Sequence, residues 1–308
     1  MNLKDADFIT VSSYIRTMEN RLLTKSKLES LISLHNFSDI IKGLSQDTDY
    51  NFISVNNLDQ AEHILKEEWK RVCEMLYQVT PHNEAVQILL LPYEFHSLRQ
   101  TMKEEMSQSH KTIQLSEEMK KIRSEAEALE GNNQIKEMFL DRKMYETMIK
   151  ISQMLNSNFI TEQIQMKIDF YNIKAMLRAR EMKKEAAFFE LCYVKGGHLS
   201  KDVFLHNYSV PFSAVAASFS KKYCNVEVQK GLEAYESNHN FSELETLFHN
   251  SLISNLKNAK LISYGPEVMY AYLMAKENEI RQIRLLLTCK FRNISDGILI
   301  RKLGESYV

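Results

Sequence analysis

Glycine and proline are scarce in this chain, with 8 glycines and 4 prolines among its 308 residues. Together they make up about 4 % of the sequence, whereas the combined usage in an ordinary protein is about 12 %. The sequence therefore has few turn formers, and good helix formers such as Met, Leu, Glu and Lys are abundant. No stretch has the Val/Ile/Thr alternation of a strand. The prediction is an all-α protein built from long helices.

The chain also has almost no net charge, and its cysteines show no pairing pattern. Lys and Arg number 39 and Asp and Glu number 40, so no overall field attracts nucleic acid or an anionic membrane. Cys73, Cys192, Cys224 and Cys289 stand far apart without a Cys-x-x-Cys motif, which argues against a disulfide framework and a zinc site. We interpret them as buried thiols in a reducing cytosol.

No segment predicts a leader or a membrane span. The first seven residues are acidic on balance, where a signal peptide needs a basic and then an apolar stretch. The longest apolar runs, such as 86–92, are far shorter than the roughly 20 residues that cross a bilayer. We therefore expect a cytoplasmic protein that contacts a membrane only through a partner.

Motifs for metal, nucleotide or nucleophilic chemistry are missing as well. A di-iron bundle needs two Glu-x-x-His motifs, and the one such spacing here ends at His239, which a helix start explains better. Neither glycine-rich phosphate motif occurs. Gly196–Gly197 is a lone pair that we interpret as a helix stop after Val194–Lys195. The sequence predicts no catalytic residue, no cofactor and no metal site.

The last fifty residues are the most informative. Gly265 provides a turn, and Pro266 suits the first position of a helix, where its missing N–H costs nothing. Apolar residues then recur at helical spacing, and charged residues interrupt them. The apolar set is Met269, Tyr272, Leu273, Ile280, Ile283 and Leu287, and the charged set is Glu279, Arg281 and Arg284. This pattern predicts a buried helix that carries charge.

This segment resembles the C-terminus of the C subunit of bacterial and archaeal V-type ATPases, the d subunit of the eukaryotic enzyme. The family pattern has a Tyr-Gly-Pro start, a Tyr-Leu-x-x-Lys-x-x-Glu-Ile-Arg-x-x-Arg helix and a basic end. It is matched by Tyr264 to Pro266, Tyr272, Leu273, Lys276, Glu279 to Arg281, Arg284 and Lys290. Residues 14–24 and 196–200 are similar to the same family, so the resemblance runs from end to end.

The resemblance implies a non-enzymatic subunit of the central rotor. In that family, three similar helical subdomains form a funnel with pseudo-threefold symmetry and a central cavity. The protein lies peripherally on the cytoplasmic mouth of the membrane proteolipid (c/K) ring and receives the central stalk, made of D-type and F-type subunits. Torque then passes between ATP hydrolysis and transport of H⁺ or Na⁺. The competing hypothesis is a free-standing all-α scaffold of the helical-repeat type.

An internal repeat independently suggests three units. Residues 94–103 align without gaps with 169–178 and 276–285, and the His-Asn-Phe-Ser motif at 35–38 returns at 239–242. The predicted helix caps in these motifs are Ser38 and Ser242, and Ser26 caps the helix before the first. We therefore predict helical repeats at 1–107, with an insertion at about 51–75 around Trp69, at 108–185 and at 186–308.

Basic residues recur on one helix of each repeat and are the candidate partner-binding residues. They are Arg99, Lys103, Lys174, Arg178, Arg281 and Arg284. Two interpretations are open. In the first, ion pairs with the nearby Glu94, Asp169 and Glu277 tie each unit together. In the second, the charges line a central cavity or face a partner subunit.

Overall fold

A computed structural model describes residues 5–80, 83–106, 116–130, 133–223 and 226–308. Within these ranges the chain forms fifteen α-helices, two short 3-10 helices (Asp5–Phe8 and Lys257–Leu261) and no strand. The α-helices are α1 (Ile9–Glu19), α2 (Lys25–Ile32), α3 (Phe37–Asp47), α4 (Leu58–Val79), α5 (Glu84–Met106), α6 (Glu117–Glu127), α7 (Asn133–Met154), α8 (Asn158–Glu181), α9 (Ala186–Cys192), α10 (Lys201–Asn207), α11 (Phe212–Tyr223), α12 (Val226–Asn238), α13 (Phe241–Leu256), α14 (Pro266–Phe291) and α15 (Asp296–Leu303). The prediction of an all-α protein is confirmed.

Three helices begin earlier than predicted. The residues before α2, α3 and α13 are Thr24, Asn36 and Asn240, so Ser26, Ser38 and Ser242 lie inside the first turn and are not the caps. Asn and Thr are themselves good N-cap residues, and here they come first along the chain. The side chains of Thr24 and Asn240 accept hydrogen bonds from backbone N–H groups of the helices they precede.

The chain forms two compact units. Unit 1 comprises Met1–Val86 and Phe212–Val308, and unit 2 comprises Gln87–Pro211. The predicted threefold repeat is a different division, and its first boundary, at residues 107–108, falls outside the described residues. The repeat and its funnel arrangement stay predictions. The helix predicted around Trp69 is present as α4.

α14 is the central helix of unit 1. Gly265 precedes it at φ +140°, a conformation that glycine adopts readily, and Pro266 is its first residue, as predicted. α14 packs against α4, α1, α15 and α3. Most of its residues are buried, including Lys276 and Glu279, so the predicted buried helix that carries charge is confirmed. Of the other two charged residues in the predicted set, Arg281 is half-buried and Arg284 is exposed.

The core of unit 1 forms where the second half of α14 meets the helices near the N-terminus. Ile283 and Leu287 of α14 belong to one apolar cluster with Leu28 of α2, Ile40 of α3 and Leu65 of α4. These residues are at most 2 % exposed. Burial of this kind contributes about 1.5 to 3 kcal/mol for each large aliphatic side chain. The first and last thirds of the chain are therefore held together in one core.

Unit 2 is organised around α8, which packs against α7 and α9. α9 ends at Cys192, so the prediction that Gly196–Gly197 stops a helix is wrong. The glycine pair lies in the turn after α9, where a Cβ on the second glycine would collide with the carboxylate of Asp169. In this turn the N–H groups of His198 and Leu199 donate to that carboxylate at 2.7 and 3.0 Å. Glycine is needed because the backbone approaches a buried carboxylate closely.

Candidate functional site

Arg99 and Lys103 lie one turn apart on α5 and share acidic partners on α7. Arg99 Nε is 2.8 Å from Glu137 Oε2, its Nη2 donates to Asp141, and Lys103 Nζ is 2.9 Å from Glu137 Oε1. Glu94 is not a partner of Arg99, so that predicted ion pair is wrong. Glu94 and Arg99 are five residues apart, so their side chains point to different faces of the helix. Glu137 and Asp141 lie one turn apart on α7, and both bind the guanidinium of Arg99.

The Arg99 cluster is partly buried. Tyr171 donates its hydroxyl to Asp141 Oδ2 at 3.1 Å. Burial raises the pKa of Asp141 above its ordinary value, although Arg99 and Tyr171 both oppose this shift. The side chain of Arg99 is 17 % exposed, whereas that of Lys103 is 69 % exposed. Arg99 therefore acts mainly inside unit 2, and Lys103 is the more accessible of the two cations.

A groove of about 380 Å³ lies beside this cluster in unit 2. Its wall includes Arg99, Lys103, Lys136, Glu137, Met102 and Leu140. Three cations, the carboxylates of Glu127 and Glu137 and apolar side chains share this wall, which matches a mixed polar and apolar protein segment better than a polyanion. Two of the six candidate residues thus line one groove.

Lys174 and Arg178 lie on α8, one turn apart. The ammonium of Lys174 is 5.4 Å from the ring centroid of Phe170, within cation–π range, and Arg178 is exposed. Asp169, the predicted partner of Lys174, is completely buried and accepts the hydrogen bonds of the turn after α9. His198 of that turn also places its ring Nδ1 3.3 Å from Asp169 Oδ2. The Asp169 carboxylate therefore anchors this turn.

Arg281 and Arg284 lie on α14 in unit 1, in different surroundings. Arg284 is exposed and pairs with both carboxylate oxygens of Glu62, at 2.7 and 3.0 Å. Arg281 is half-buried, and its Nη2 donates to the carbonyl of Leu303 and to Asn278 Oδ1, both at 3.0 Å. Arg284 thus makes a surface ion pair, whereas Arg281 holds the end of α15.

The Nε–H group of Arg281 differs from the rest of its guanidinium. Its Nε is buried without a hydrogen-bond partner among the residues that the structure describes. Burial lowers the pKa of the Arg281 guanidinium, and the charge of Glu277 opposes that shift. Glu277 thus acts on Arg281 through its charge, while the hydrogen bonds of Arg281 go to Asn278 and Leu303. The predicted ion pair between Arg281 and Glu277 is replaced by these contacts.

Two charged residues of the α14 motif form a buried network that sequence analysis missed. Lys276 Nζ lies 2.8 Å from Glu279 Oε2 and 3.4 Å from Glu68 Oε1. Tyr50 donates its hydroxyl to Glu279 Oε2 at 2.7 Å, and the N–H of Leu23 donates to Glu279 Oε1 at 2.6 Å. Burial and the charge of Glu279 raise the pKa of Tyr50 well above its ordinary value. The network joins α14 to α4 and to two loops.

The motif residues in this network have a structural role. Lys276, Glu279 and Glu68 are between 3 % and 7 % exposed, and Arg71 supplies the second positive charge, with its Nε 2.7 Å from Glu68 Oε2. Removing one member would leave a buried charge without its partner, which is strongly destabilising. The sequence signal was the spacing of Lys276 and Glu279, which lie three residues apart and therefore on one face of α14.

The described residues hold no set of three His, Cys, Asp or Glu side chains arranged to bind a metal ion. In the same ranges, no helix combines the length and apolar character that crossing a bilayer requires. Cys73, Cys192 and Cys289 are buried free thiols, as predicted, and Cys224 lies outside the described residues. Burial raises the pKa of Cys73 to about 12, so this thiol stays protonated at neutral pH.

The sequence of the chain also matches a known protein family. A family model described as "ATP synthase (C/AC39) subunit" matches residues 11–128 and 104–299. The two matches together span most of the chain, including the α14 motif. The chain therefore belongs to the ATP synthase (C/AC39) subunit family.

Individual relatives extend the similarity to nearly full length. The chain is 23 % identical to the C subunit of the A-type ATP synthase of Pyrococcus abyssi, over 94 % of this chain and 87 % of the relative. It is 22 % identical to the C subunit of the V-type sodium ATPase of Enterococcus hirae, over 98 % of this chain and 99 % of the relative. The resemblance to the C subunit of V-type ATPases is confirmed.

Proposed function

We propose that this chain is a non-catalytic coupling subunit in the central rotor of a V/A-type ATPase. It joins the central stalk to the membrane proteolipid ring on the cytoplasmic side and transmits torque between ATP hydrolysis and transport of H⁺ or Na⁺. The observation that carries the proposal is membership of the C/AC39 subunit family, with matches at 11–128 and 104–299.

The buried contacts of unit 1 suit a part that transmits torque. Such a part must keep its shape under load, and contacts between distant segments resist deformation. Glu279 holds the N–H of Leu23, and Glu19 accepts the hydroxyl of Tyr307 at 3.1 Å. A buried polar group that loses its partner costs about 1 to 3 kcal/mol, so each of these contacts opposes separation of the two ends of the chain.

Reconstitution tests the proposal. Inverted membrane vesicles that carry the ATPase would be prepared from a strain lacking this chain and compared with vesicles to which the purified chain has been added back. We expect ATP-driven ion uptake to be lost without the chain and restored by its addition, while ATP hydrolysis by the catalytic part persists in both. Equal ion uptake with and without the chain would contradict the proposal and favour a free-standing scaffold.

A further inference from the structure

Residues 304–308 of unit 1, which we call the strap, follow α15 without regular secondary structure. Although they belong to no helix, Ser306 and Tyr307 are only 3 % and 2 % exposed. Within the described ranges, no backbone-to-backbone hydrogen bond holds the strap. Its polar contacts are made by side chains of other elements. The strap is therefore bound to unit 1 in the manner of a ligand.

Three side chains hold the backbone of the strap at Glu305. The N–H of Glu305 donates to Asn250 Oδ1 at 2.8 Å. Its carbonyl accepts from Asn278 Nδ2 at 3.0 Å and from Gln282 Nε2 at 3.1 Å. Carboxamides on α13 and α14 thus make the hydrogen bonds that a neighbouring strand makes in a sheet. Contacts to the main chain give a peptide site affinity, and pockets for side chains give it specificity.

Side chains of the strap have specific partners as well. Tyr307 donates its hydroxyl to Glu19 Oε1 at 3.1 Å, and the ammonium of Lys260 lies 4.8 Å from the centroid of its ring. The carboxylate of Glu305 lies 3.4 Å from Lys257 Nζ. These contacts select an acidic residue and, two positions later, a tyrosine. We call the surface that contacts the backbone and side chains of the strap the strap site.

A groove of about 300 Å³ continues from the strap site between α13 and α15. Asn250 belongs to both, since it lines the groove and also binds the N–H of Glu305. The charged residues of the groove wall are Glu243, Arg301 and Lys302. In the part of the chain that the structure describes, Arg301 and Lys302 make no hydrogen bond and no ion pair. The groove therefore offers two cations that the strap does not use.

Gly304 allows the strap to leave while α15 stays in place. Glycine has more accessible backbone conformations than any other residue, so it suits a hinge between a helix and a movable segment. α15 keeps its own packing, because Leu299 and Leu303 belong to the core of unit 1 and are 0 % and 6 % exposed. Arg281 also holds the carbonyl of Leu303. Release of the strap therefore breaks the contacts of residues 304–308 alone.

We propose that the strap site binds a peptide segment of another protein, and that the strap occupies the site until such a segment displaces it. The segment carries the pattern Glu-x-Tyr together with further acidic residues that pair with Arg301 and Lys302. This inference goes beyond the coupling function and does not depend on it. Binding of the segment would break the contact between Tyr307 and Glu19, and so would separate the strap from α1.

The groove decides which segment can displace the strap. A tethered segment has an effective concentration in the millimolar range, so a free peptide with the strap sequence alone competes poorly. For this reason a second copy of this chain, which brings the same strap, is the poorer ligand. A segment with additional acidic residues gains contacts with Arg301 and Lys302 that the strap lacks, and charge complementarity favours it.

The test compares the full chain with its Tyr307→Ala variant, in which the strap loses its contact with Glu19. Two fluorescent peptides with capped ends are the probes, Gly-Glu-Ser-Tyr-Val and Asp-Asp-Asp-Gly-Glu-Ser-Tyr-Val. Melting temperatures are measured first, and binding then follows from fluorescence anisotropy. We expect Tyr307→Ala to bind the short peptide at least about tenfold more tightly than the unchanged chain does, because the weakened strap competes less. The aspartates should tighten binding to both proteins.

Matched controls separate the two parts of the site. Arg301→Gln combined with Lys302→Gln should remove the gain from the aspartates and leave binding of the short peptide unchanged. Asn250→Ala, added to Tyr307→Ala, should weaken binding of both peptides, since it removes the acceptor for the peptide N–H. Replacing the tyrosine of either peptide by alanine should have the same effect.

Hydrogen exchange in the unchanged chain tests the proposal without any substitution. Excess acidic peptide should speed exchange at the N–H of Glu305, because the displaced strap no longer donates to Asn250. The N–H groups of α14 should keep their protection, since the helix itself does not open. This measurement decides the question even if Tyr307→Ala lowers the stability of the chain.

Three outcomes would overturn the proposal. No binding of either peptide, with unchanged exchange at Glu305, would mean that the strap is a fixed part of the fold. Binding that does not depend on the tyrosine of the peptide would reduce the effect to general attraction between charges. Dimers of the unchanged chain that the short peptide dissociates would identify a second copy of this chain as the ligand in place of another protein.

Discussion

At the scale of single residues, the same residue type serves two different purposes on α14. Arg284 pairs with Glu62 at the surface, where an exposed ion pair contributes about 0 to 1 kcal/mol. Arg281, one turn earlier, gives its hydrogen bonds to Leu303 and Asn278 in a partly buried setting. Burial, and not residue type, decides which arginine matters for stability.

This contrast leads to a prediction for Arg281→Met and Arg284→Met. We expect Arg281→Met to lower the free energy of unfolding by about 1 to 3 kcal/mol, because it removes the partly buried hydrogen bonds to the Leu303 carbonyl and to Asn278 Oδ1. We expect Arg284→Met to cost less than about 1 kcal/mol. Urea titration of both variants at neutral pH measures the difference.

The two variants are matched, since each replaces an arginine of the same helix by a residue with similar helix propensity. A fully stable Arg281→Met variant would mean that the guanidinium does not hold α15. Such a result would favour the second interpretation of the sequence, in which Arg281 faces a partner subunit.

At the scale of elements, the end of α15 and the residues after it show why particular glycines matter. Gly304 follows α15 with φ +74° and ψ −169°, a region that is essentially restricted to glycine. A Cβ at this position would lie 2.6 Å from Asn250 Oδ1. Beyond it, Gln282 Nε2 donates to the carbonyl of Glu305 at 3.1 Å, so the chain after α15 is fixed against α14.

We predict opposite effects of alanine at two glycines of this region. Gly304→Ala should lower the free energy of unfolding by about 1 to 3 kcal/mol because its backbone conformation is strained for alanine. Gly297→Ala, inside α15, should raise it by about 0.4 to 1 kcal/mol, since a Cβ there meets no atom within 4 Å and alanine restricts the unfolded chain. Thermal unfolding of both variants checks the signs, and destabilisation by Gly297→Ala would contradict the geometry of α15.

The elements were partly predictable from sequence. The Gly265–Pro266 start of α14 is a local signal, and so is the all-α class. The caps of α3 and α13 were misplaced because asparagine and serine compete for the same position within a few residues. The partners of Arg99 could not be found, since Glu137 and Asp141 lie about forty residues away and helical periodicity relates only neighbours on one helix.

At the scale of the whole molecule, sequence order and packing order differ. Unit 1 combines the first and last parts of the chain, and unit 2 is inserted between them in the sequence. Polar contacts such as those of Lys290 Nζ with the carbonyls of Ile32 and Leu34, at 2.6 and 2.9 Å, cross more than 250 residues of sequence. The match to the family runs over nearly the whole chain, which is consistent with this organisation. Neither the first nor the last part of the chain has its full core without the other.

The whole molecule also leads to a prediction about nucleotides. Binding of ATP phosphates needs several free N–H groups in a glycine-rich turn. In the turn at Gly196–Gly197, the N–H groups of His198 and Leu199 already donate to the Asp169 carboxylate. The N–H of Gly265 donates to the Ser12 hydroxyl. These glycine turns are thus occupied by contacts of the chain itself.

We therefore expect the purified chain neither to bind ATP nor to hydrolyse it. Titration calorimetry with Mg-ATP should give no saturable heat at micromolar to millimolar nucleotide, and a phosphate-release assay should stay at the rate of the buffer. The intact ATPase, tested in parallel, is the positive control for both measurements. Saturable micromolar binding by the isolated chain would contradict a purely mechanical role. A phosphate-binding turn would then have to form by breaking the hydrogen bonds to Asp169 or Ser12. Hydrogen exchange at the N–H groups of His198, Leu199 and Gly265 would reveal that change.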